Sequence, residues 1–493
     1  LPNKLTKINS TAFAGIDVLV NINTDSTVLN DIANDVFSDT TFYIQSNSEM
    51  IILGKVLLKC INTATNIEVP NGIEAIANRA FADGQVRTIS LPSTLKYIGD
   101  EAFYGAKNLE TITIPDSVLT IGEAAFALSL NLQSVNFNAS SSKLNEIGAS
   151  AFQGCNALTS IDIPYTVEKI GASAFLNCRN LTSVNFDYIL TTEVDGVITT
   201  EVKAKSKLTE LGEMAFYDNR KLTSITIPDG LTEIGRETFY GCSLLETVNF
   251  DVDKSNLKVI GEYAFAECSS LGSKVDVNNP SLVTVILPNA LITVERNAFQ
   301  NCSSMLGIRF NYNLKNVASD AFDGCKRLTK IEVFSSTPAN IASGAFDRGD
   351  SPYYKLRIYV GASVNDTIKN DYKAKWTEYA DNIYDRSELP LLVYCHTTSS
   401  GSGTTDNLSD PIATDIVINP TYTWGNTTYS TWKYKEFANK QSDGEYAVDG
   451  SVARLNQLIT AFDYQIQANP ANPGQPYTLL ILDYDRVTVT TST

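Results

Sequence analysis

The stretch that decides the fold runs from Leu208 to Leu231. It reads Leu208-x-x-Leu211-Gly212-x-x-Ala215-Phe216, then Leu222-x-x-Ile225-x-Ile227-Pro228-x-x-Leu231. Ile225 and Ile227 alternate with Ser224 and Thr226, which is the two-residue period of a half-buried strand. Pro228 has no N–H to give to a ladder, so it ends the strand. Outward from this unit the same phenylalanine recurs at Phe13, Phe37, Phe81, Phe103, Phe126, Phe152, Phe175, Phe216, Phe239, Phe265, Phe299, Phe322 and Phe346. Neighbouring copies are mostly 22 to 26 residues apart, and the three longer gaps of 44, 41 and 34 each read as one repeat with an insertion. Gly212, four residues before its Phe, has counterparts in Gly99, Gly122, Gly148, Gly171, Gly235 and Gly261. That slot predicts a tight turn with positive φ. The last three copies place Glu295, Ala318 and Ala342 there instead.

The expected unit is one short parallel strand, a turn, and a short helical or 3₁₀ segment that carries the Phe. One coil cannot bury its own apolar side, but a stack of coils can. At ~4.8 Å per strand, thirteen coils give a curved rod on the order of 60 Å long. The expected fold class is α/β: a leucine-rich-repeat solenoid with its cap over residues 1–386, and a separate small C-terminal α+β domain over 387–493.

The pattern resembles the BspA-like leucine-rich repeat family, also called the Treponema pallidum type. The residues above carry the resemblance, together with Ile161-Asp162-Ile163-Pro164 leading to Ile170-Gly171-x-x-Ala174-Phe175-x-x-Cys178. It covers about residues 1–386. The resemblance implies a secreted or cell-surface protein of gut or oral bacteria, or of some protozoa, that adheres to host proteins or to other microbes.

Composition narrows the classes independently. Of 493 residues, 43% are apolar and 19% charged, which fits neither a disordered chain nor a membrane protein. No apolar run approaches the ~20 residues of a membrane helix. With 38 basic and 55 acidic residues the net charge is −17. Counterion release works against so acidic a surface, so nucleic acid is not an expected partner. Polybasic attachment to anionic lipid is not expected either. His396 is the only histidine, which rules out sites needing two. Leu1 opens the chain without methionine or leader, so the sequence reads as a mature or truncated form.

Two insertions interrupt the repeat. Thr191 to Thr200 carries Asp195-Gly196 between alternating residues, a hairpin signal. The earlier insertion, from Phe42 to Val69, holds an apolar run from Met50 to Leu58 that reads as strands. Either is a recognition arm or extra edge packing. Leu356 to Val360 reads as the last strand. Tyr372, Trp376 and Tyr379 follow at helical spacing and read as a lid on the core. From about Ser387 the repeat is lost. Leu391 to Tyr394, Ile416 to Ile418 and Leu479 to Leu482 read as buried strands, Val452 to Ala468 as a helix, and Arg486 to Thr493 as a final strand.

Few residues point to chemistry. Six of eight cysteines, Cys155, Cys178, Cys242, Cys268, Cys302 and Cys325, stand three residues after a Phe, where other copies have Ala106, Ser129 and Asn219. The slot takes a small side chain, and a parallel ladder suits disulfide geometry poorly, so free buried thiols are expected. Asp251-x-Asp253-x-Ser255-Asn256 looks like part of a calcium loop, but it lacks the glycine and aligns with the lengthened copy at Asn138 to Ser142. His396 lies beside Cys395 and near Ser399, yet nothing marks an oxyanion site. No phosphate loop, dinucleotide fingerprint or metal-spaced Cys/His pair is present. The chain reads as non-enzymatic, with no cofactor and no metal.

Binding surfaces remain. Strand positions eight and ten residues after each Phe are expected on the concave side: Thr111, Thr113, Ser134, Asn136, Ser160, Asp162, Ser183, Asn185, Ser224, Thr226, Thr247 and Asn249. Gly307, Arg309, Lys330 and Glu332 continue the series. The first group lacks the Trp, Tyr and Arg typical of strong anchors. The tail concentrates Tyr422, Trp424, Tyr429, Trp432, Tyr434 and Phe437, which reads either as core or as a face for protein or glycan. The leading expectation is a surface-exposed or secreted adhesin-like binding protein. Its partner would be an extracellular host or microbial protein, and the caps favour a monomer. The alternative is glycan binding by the aromatic tail, with the solenoid as a stalk.

Overall fold

The computed structural model describes residues 49–348 except 61–64, 139, 195–196 and 274–283, residues 356–384 except 362–364, short segments at the start of the chain, and five strand segments beyond residue 390. The repeats form a parallel β-solenoid. Each coil contributes two strands rather than the one expected. A three-residue strand, such as Ser160–Asp162 or Ser224–Thr226, comes from the alternating Ile segment. A two-residue strand, such as Lys169–Ile170 or Glu210–Leu211, comes from the segment just before the glycine slot. The two-residue strands stack in register from Ala75–Ile76 to Glu210–Leu211 in one sheet. That sheet is closed at its N-terminal edge by the antiparallel pair Met50–Leu53 and Val56–Cys60, so the apolar run of the first insertion is a hairpin.

The phenylalanines form the spine. From Phe81 to Phe322 their rings stack with centroids 4.9 to 5.6 Å apart and planes within 8° of parallel. This repeats the ~4.8 Å spacing of the strands. Phe175 and Phe216 are 41 residues apart in sequence, yet their rings sit 5.2 Å apart. The insertion therefore leaves the stack undisturbed. Each ring is 3% exposed or less, and full burial of such a side chain contributes about 1.5–3 kcal/mol.

The expected helical or 3₁₀ segment is a run of turns around each Phe from Phe81 to Phe346. Backbone N–H groups there bond alternately within the turn and to the next coil: Ala102 N to Gly99 O at 3.3 Å, then Phe103 N to Ala125 O at 2.6 Å. That alternation excludes a helix, whose bonds all stay local. It also sets φ near +55° two residues before the Phe, at Arg79, Glu101, Ala124, Ser150, Ser173, Met214, Glu237, Tyr263, Asn297 and Asp320. None of these is glycine. Left-handed backbone at such residues costs of order 1–3 kcal/mol each, offset by the bonds between coils.

The glycine slot has a different cause from the one expected. Gly212 and its counterparts do not have positive φ. A Cβ at Gly212 would come within 3.0 Å of the Ala172 nitrogen and the Gly171 carbonyl carbon of the previous coil. The slot is small because backbone passes against backbone. Gly235 is the exception, since its Cβ would meet Glu213 side-chain and backbone atoms only at ordinary van der Waals distances of 3.6 to 3.8 Å.

The cysteine slot is also more than small. Cys155, Cys178, Cys242, Cys268, Cys302 and Cys325 each donate Sγ–H to the Phe carbonyl of the previous coil at 3.0 to 3.2 Å. Ser129 Oγ and Asn219 Nδ2 make the same bond in their coils. All six thiols are free and fully buried. Burial pushes Cys178 up to about 12 and raises Cys155, Cys268 and Cys302 likewise.

The lid is as expected. A helix, Asp366–Lys375, starts where Asn365 Oδ1 accepts from Ile368 N, and a 3₁₀ turn, Thr377–Asn382, follows. Trp376 and Tyr379 close on Phe346, and Trp376 Nε1 donates to Ala339 O at 2.8 Å. Tyr372 Oη donates to Ser335 O at 3.0 Å. Arg357–Val360 is not the last strand, because Ile383–Tyr384 adds one more in parallel beyond it. In the tail, Leu392–Val393 and Leu479–Leu482 are strands, and Ala413–Trp424 pairs antiparallel with Thr427–Phe437. Thr488–Val489 falls within the expected final strand. The helix expected over Val452 to Ala468, and His396, lie outside the described residues.

Two measurements check this account of the spine. Gly212→Ala is expected to lower stability by about 1–3 kcal/mol through overpacking, whereas Gly235→Ala leaves the thermal midpoint unchanged or raises it. Equal effects would refute the backbone-contact explanation. Alkylation of native protein is expected to spare Cys155, Cys178, Cys242, Cys268, Cys302 and Cys325, and all six should react after unfolding without reductant. Mass mapping of the labelled peptides reads both states.

Candidate functional site

The outward positions of the three-residue strands form one open polar face. Ser160 and Asp162 stand exposed around buried Ile161, and Ser224 and Thr226 around buried Ile225. Parallel register sets Ser160 beside Ser183 and Asp162 beside Asn185. It likewise sets Ser224 beside Thr247 and Thr226 beside Asn249. Asn185 Nδ2 donates to Asp162 Oδ1 at 2.6 Å. The eight candidate residues thus lie in two rows, as the strand period predicts.

The face changes at Gly307–Phe310, Lys330–Val333 and Arg357–Val360. Arg309, Lys330 and Glu332 were expected to stand open there. Instead Lys330 and Glu332 are only 3% exposed, and Arg357 and Tyr359 only 4% and 2%. These strands are four residues long, and the last two are buried on both faces. Glu332 accepts from Arg309 Nε at 2.6 Å and pairs with Lys330 Nζ at 3.1 Å. Arg309 lies over the Phe334 ring and Lys330 over Tyr359. Long amphipathic side chains lie along the sheet here and cover it.

A cleft of about 320 Å³ opens where the second insertion leaves the open face. That insertion is an antiparallel hairpin of Tyr188–Val194 and Val197–Ala204. The cleft has an apolar wall of Val184, Phe186, Val202 and Ile227 and a polar rim of Asn185, Asp187, Lys205, Ser206, Thr226 and Asp229. Phe186 fixes the root of the hairpin by meeting Phe216 edge-on, 6.3 Å away at 86°. Asp187 occupies the slot that Pro228 fills in the reference unit. The strand stop is therefore missing, and the chain runs on into the hairpin. Asp187 Oδ1 accepts from Ser206 N at 2.9 Å and Oδ2 pairs with Lys205 Nζ at 3.0 Å, which ties both ends of the hairpin together. The Asp187 hydrogen bond, helped by the nearby charges of Asp229 and Asp251, holds the Lys205 ammonium above the usual lysine range.

Comparison with known proteins identifies the repeat. Six copies of the BspA type leucine rich repeat region match residues 1–89, 74–195, 195–279 and 273–351. The chain belongs to the BspA-type leucine-rich repeat family. Among solved structures, a leucine-rich repeat protein from Bacteroides ovatus is 23% identical with a TM-score of 0.48, covering 73% of this chain and 82% of that one. The T. pallidum leucine-rich repeat protein is 23% identical with a TM-score of 0.31, covering 44% and 82%. A leucine-rich cell surface protein from Faecalibacterium prausnitzii is 19% identical with a TM-score of 0.30, covering 59% and 96%. No curated protein matches the sequence.

In this BspA-type protein the structure brings Asn185 and Thr226 together on one cleft, with Asp162 and Asn249 flanking them. Phe186, Asp187, Lys205 and Asp229 were not singled out from the sequence. A signal was available: Phe137-Asn138, Phe186-Asp187 and Phe250-Asp251 replace the Ile-Pro pair wherever a strand leads into a lengthened coil. Asp251 is engaged within its own loop. Its carboxylate takes Lys254 Nζ at 3.1 Å and the Lys254 and Asp253 amides. No group of three or more His, Cys, Asp or Glu able to hold a metal occurs among the described residues. The side chains of Tyr422, Trp424, Tyr429, Trp432 and Tyr434 lie outside the described residues, although the backbone sets Tyr422 opposite Tyr429.

Lys205 gives a test of the cleft's electrostatics. Its raised folded value means that the pair stabilises the fold below the ordinary lysine range and that this contribution fades as pH rises through the folded value. Asp187→Asn is expected to move the Lys205 titration back down, as read by NMR of methyl-labelled lysines. An unmoved midpoint would show that the pair does not form in solution.

Proposed function

We propose that this chain is a non-enzymatic, surface-exposed or secreted binding protein that holds an extracellular protein against the open strand face. The hairpin-root cleft is its anchor. Family membership supports a protein-interaction scaffold. The observation that carries the finer reading is the cleft, because it joins the rows of polar side chains to an apolar wall. Small polar residues give hydrogen bonds but little anchoring energy, and a pocket that takes a side chain supplies what they lack. The carboxylates of Asp187 and Asp229 outnumber Lys205 at the rim, so a basic side chain with an aliphatic stem is the complementary occupant.

The test is a solid-phase screen of the full chain against extracellular-matrix and bacterial surface proteins, followed by variants of the face. Thr226→Arg and Asp229→Lys are expected to weaken a detected interaction at least about tenfold, or ~1.4 kcal/mol, with thermal unfolding unchanged. Thr111→Arg, on a distant strand, should leave it intact. Equal binding by all three variants would sink the reading. A second reading is glycan recognition by the aromatic tail, whose segments Ala413–Trp424 and Thr427–Phe437 pair as antiparallel strands. In that case Trp424→Ala with Trp432→Ala abolishes binding on a glycan array and the cleft variants do not.

A further inference from the structure

We propose that the solenoid is hinged at the coil from Lys207 to Leu231, and that motion about its turn ridge widens and narrows the cleft at the hairpin root. The two-residue strands are normally latched by two bonds per step. Thr209 N donates to Glu168 O at 3.0 Å and Gly212 N to Ile170 O at 2.9 Å. Further on, Lys258 N donates to Thr232 O and Gly261 N to Ile234 O, both at 2.8 Å. At the step between, the corresponding donors, Thr232 N and Gly235 N, make no backbone bond. Among the described residues it is the one step from the coil of Ile76 to that of Ala342 without this latch, and it divides the ladder into two sheets.

The other ladder stops at the same place. From Asn66 to Asn249 the three-residue strands pair in twos, and one gap falls between Ser183–Asn185 and Ser224–Thr226. The coil is therefore split. Its strand Glu210–Leu211 pairs only backward, with Lys169–Ile170, and its strand Ser224–Thr226 only forward, with Thr247–Asn249. On the strand side Thr223 N reaches Thr182 O at 3.4 Å, longer than the 2.8 and 2.9 Å of the neighbouring steps, Thr182 N to Thr159 O and Glu246 N to Thr223 O. The turn ridge stays continuous. Phe175 N bonds Ala215 O at 2.8 Å, and Phe216 N bonds Thr238 O at 2.9 Å.

The step widens from the ridge inward. The Tyr217 and Tyr240 rings on the ridge stack at 4.9 Å, while Phe216 and Phe239 in the spine stand 5.6 Å apart, the widest step between parallel rings in the stack. At the ladder the bonds are gone. Leu211 there is 8% exposed, while its counterparts from Ile76 to Val317 are 2% exposed or less. This is the geometry of a book opening about its spine, with few groups left to absorb the motion. The cleft lies at the mouth. Val184, Phe186, Val202 and Lys205 come from the arm before the seam, and Thr226, Ile227 and Asp229 from the arm after it. The hinge rests on this geometry and not on the cleft taking a partner, so it stands or falls apart from the proposed function.

The experiment measures distances by pulsed electron resonance in the full chain. Nitroxides are attached through p-acetylphenylalanine, because Cys60 is only partly buried and would take a thiol label. Exposed Thr113 and Asn249 bracket the seam across five strand steps, and Glu68 and Asn185 span five steps within one arm. The seam pair is expected to give a broad or double-peaked distribution and the control pair a single narrow one. A seam distribution as narrow as the control would overturn the hinge and leave a static gap. Amide exchange of the unlabelled chain, resolved by fragmentation mass spectrometry, provides the check should a labelled variant not fold. Thr232 and Gly235 are expected to exchange at least about tenfold faster than Thr209 and Gly212, as locally opening backbone does. Equal protection would show that the latch forms in solution and would overturn the proposal as well.

Discussion

Everything in the solenoid depends on one distance, the step of about 5 Å from coil to coil. The Phe rings, the in-register strands and the turn-to-turn backbone bonds all repeat at that step. Each slot of the coil therefore meets the same slot of its neighbours, and selection acts on slots. A slot where backbone passes backbone admits glycine, as at Gly212. A slot facing the neighbour's Phe carbonyl admits a short donor, whether Cys178, Ser129 or Asn219. Segments that leave the stack and return at the same step are unconstrained, which is why a hairpin between Phe175 and Phe216 does not disturb their rings.

This explains what the sequence made legible. The Phe period, the alternating Ile positions and the aromatic lid are apolar patterns, and burial writes apolar patterns directly into residue type. The turn conformation is not written in the same way. Ten coils adopt positive φ two residues before the Phe with side chains as different as Ala124, Glu237 and Tyr263. The bonds between coils, not the local residue, select that backbone, so no composition reveals it. Glycine at the slot before it invited the opposite inference, because positive φ and close approach leave the same residue behind.

The candidate site divides along the same line. Asn185 and Thr226 follow from strand period alone. Asp187 and Lys205 become neighbours only because a hairpin closes between them, and their importance rests on the missing proline rather than on any motif. The terminal strands show the limit of alternation most clearly. Arg309, Lys330 and Glu332 occupy outward positions as predicted, but outward does not mean exposed where long side chains lie along the sheet and over neighbouring rings.

The two faces consequently have different energetics. The open rows offer hydroxyl and amide groups that exchange water for protein at little net gain, about 0.5–1.5 kcal/mol for each good hydrogen bond. The covered rows hold the Arg, Lys and Tyr side chains that give an interface its strong points. Under the proposed function, a partner on the open rows gains specificity from register, since side chains recur at the strand spacing, and gains affinity where the cleft breaks that regularity. The insertion matters for this reason. A stack built from one repeated unit presents a surface nearly periodic along its length, and a periodic surface gives a bound protein several equivalent positions. On the proposed reading, the hairpin at Asp187 removes that equivalence along the described coils and gives a partner's register a place to be fixed.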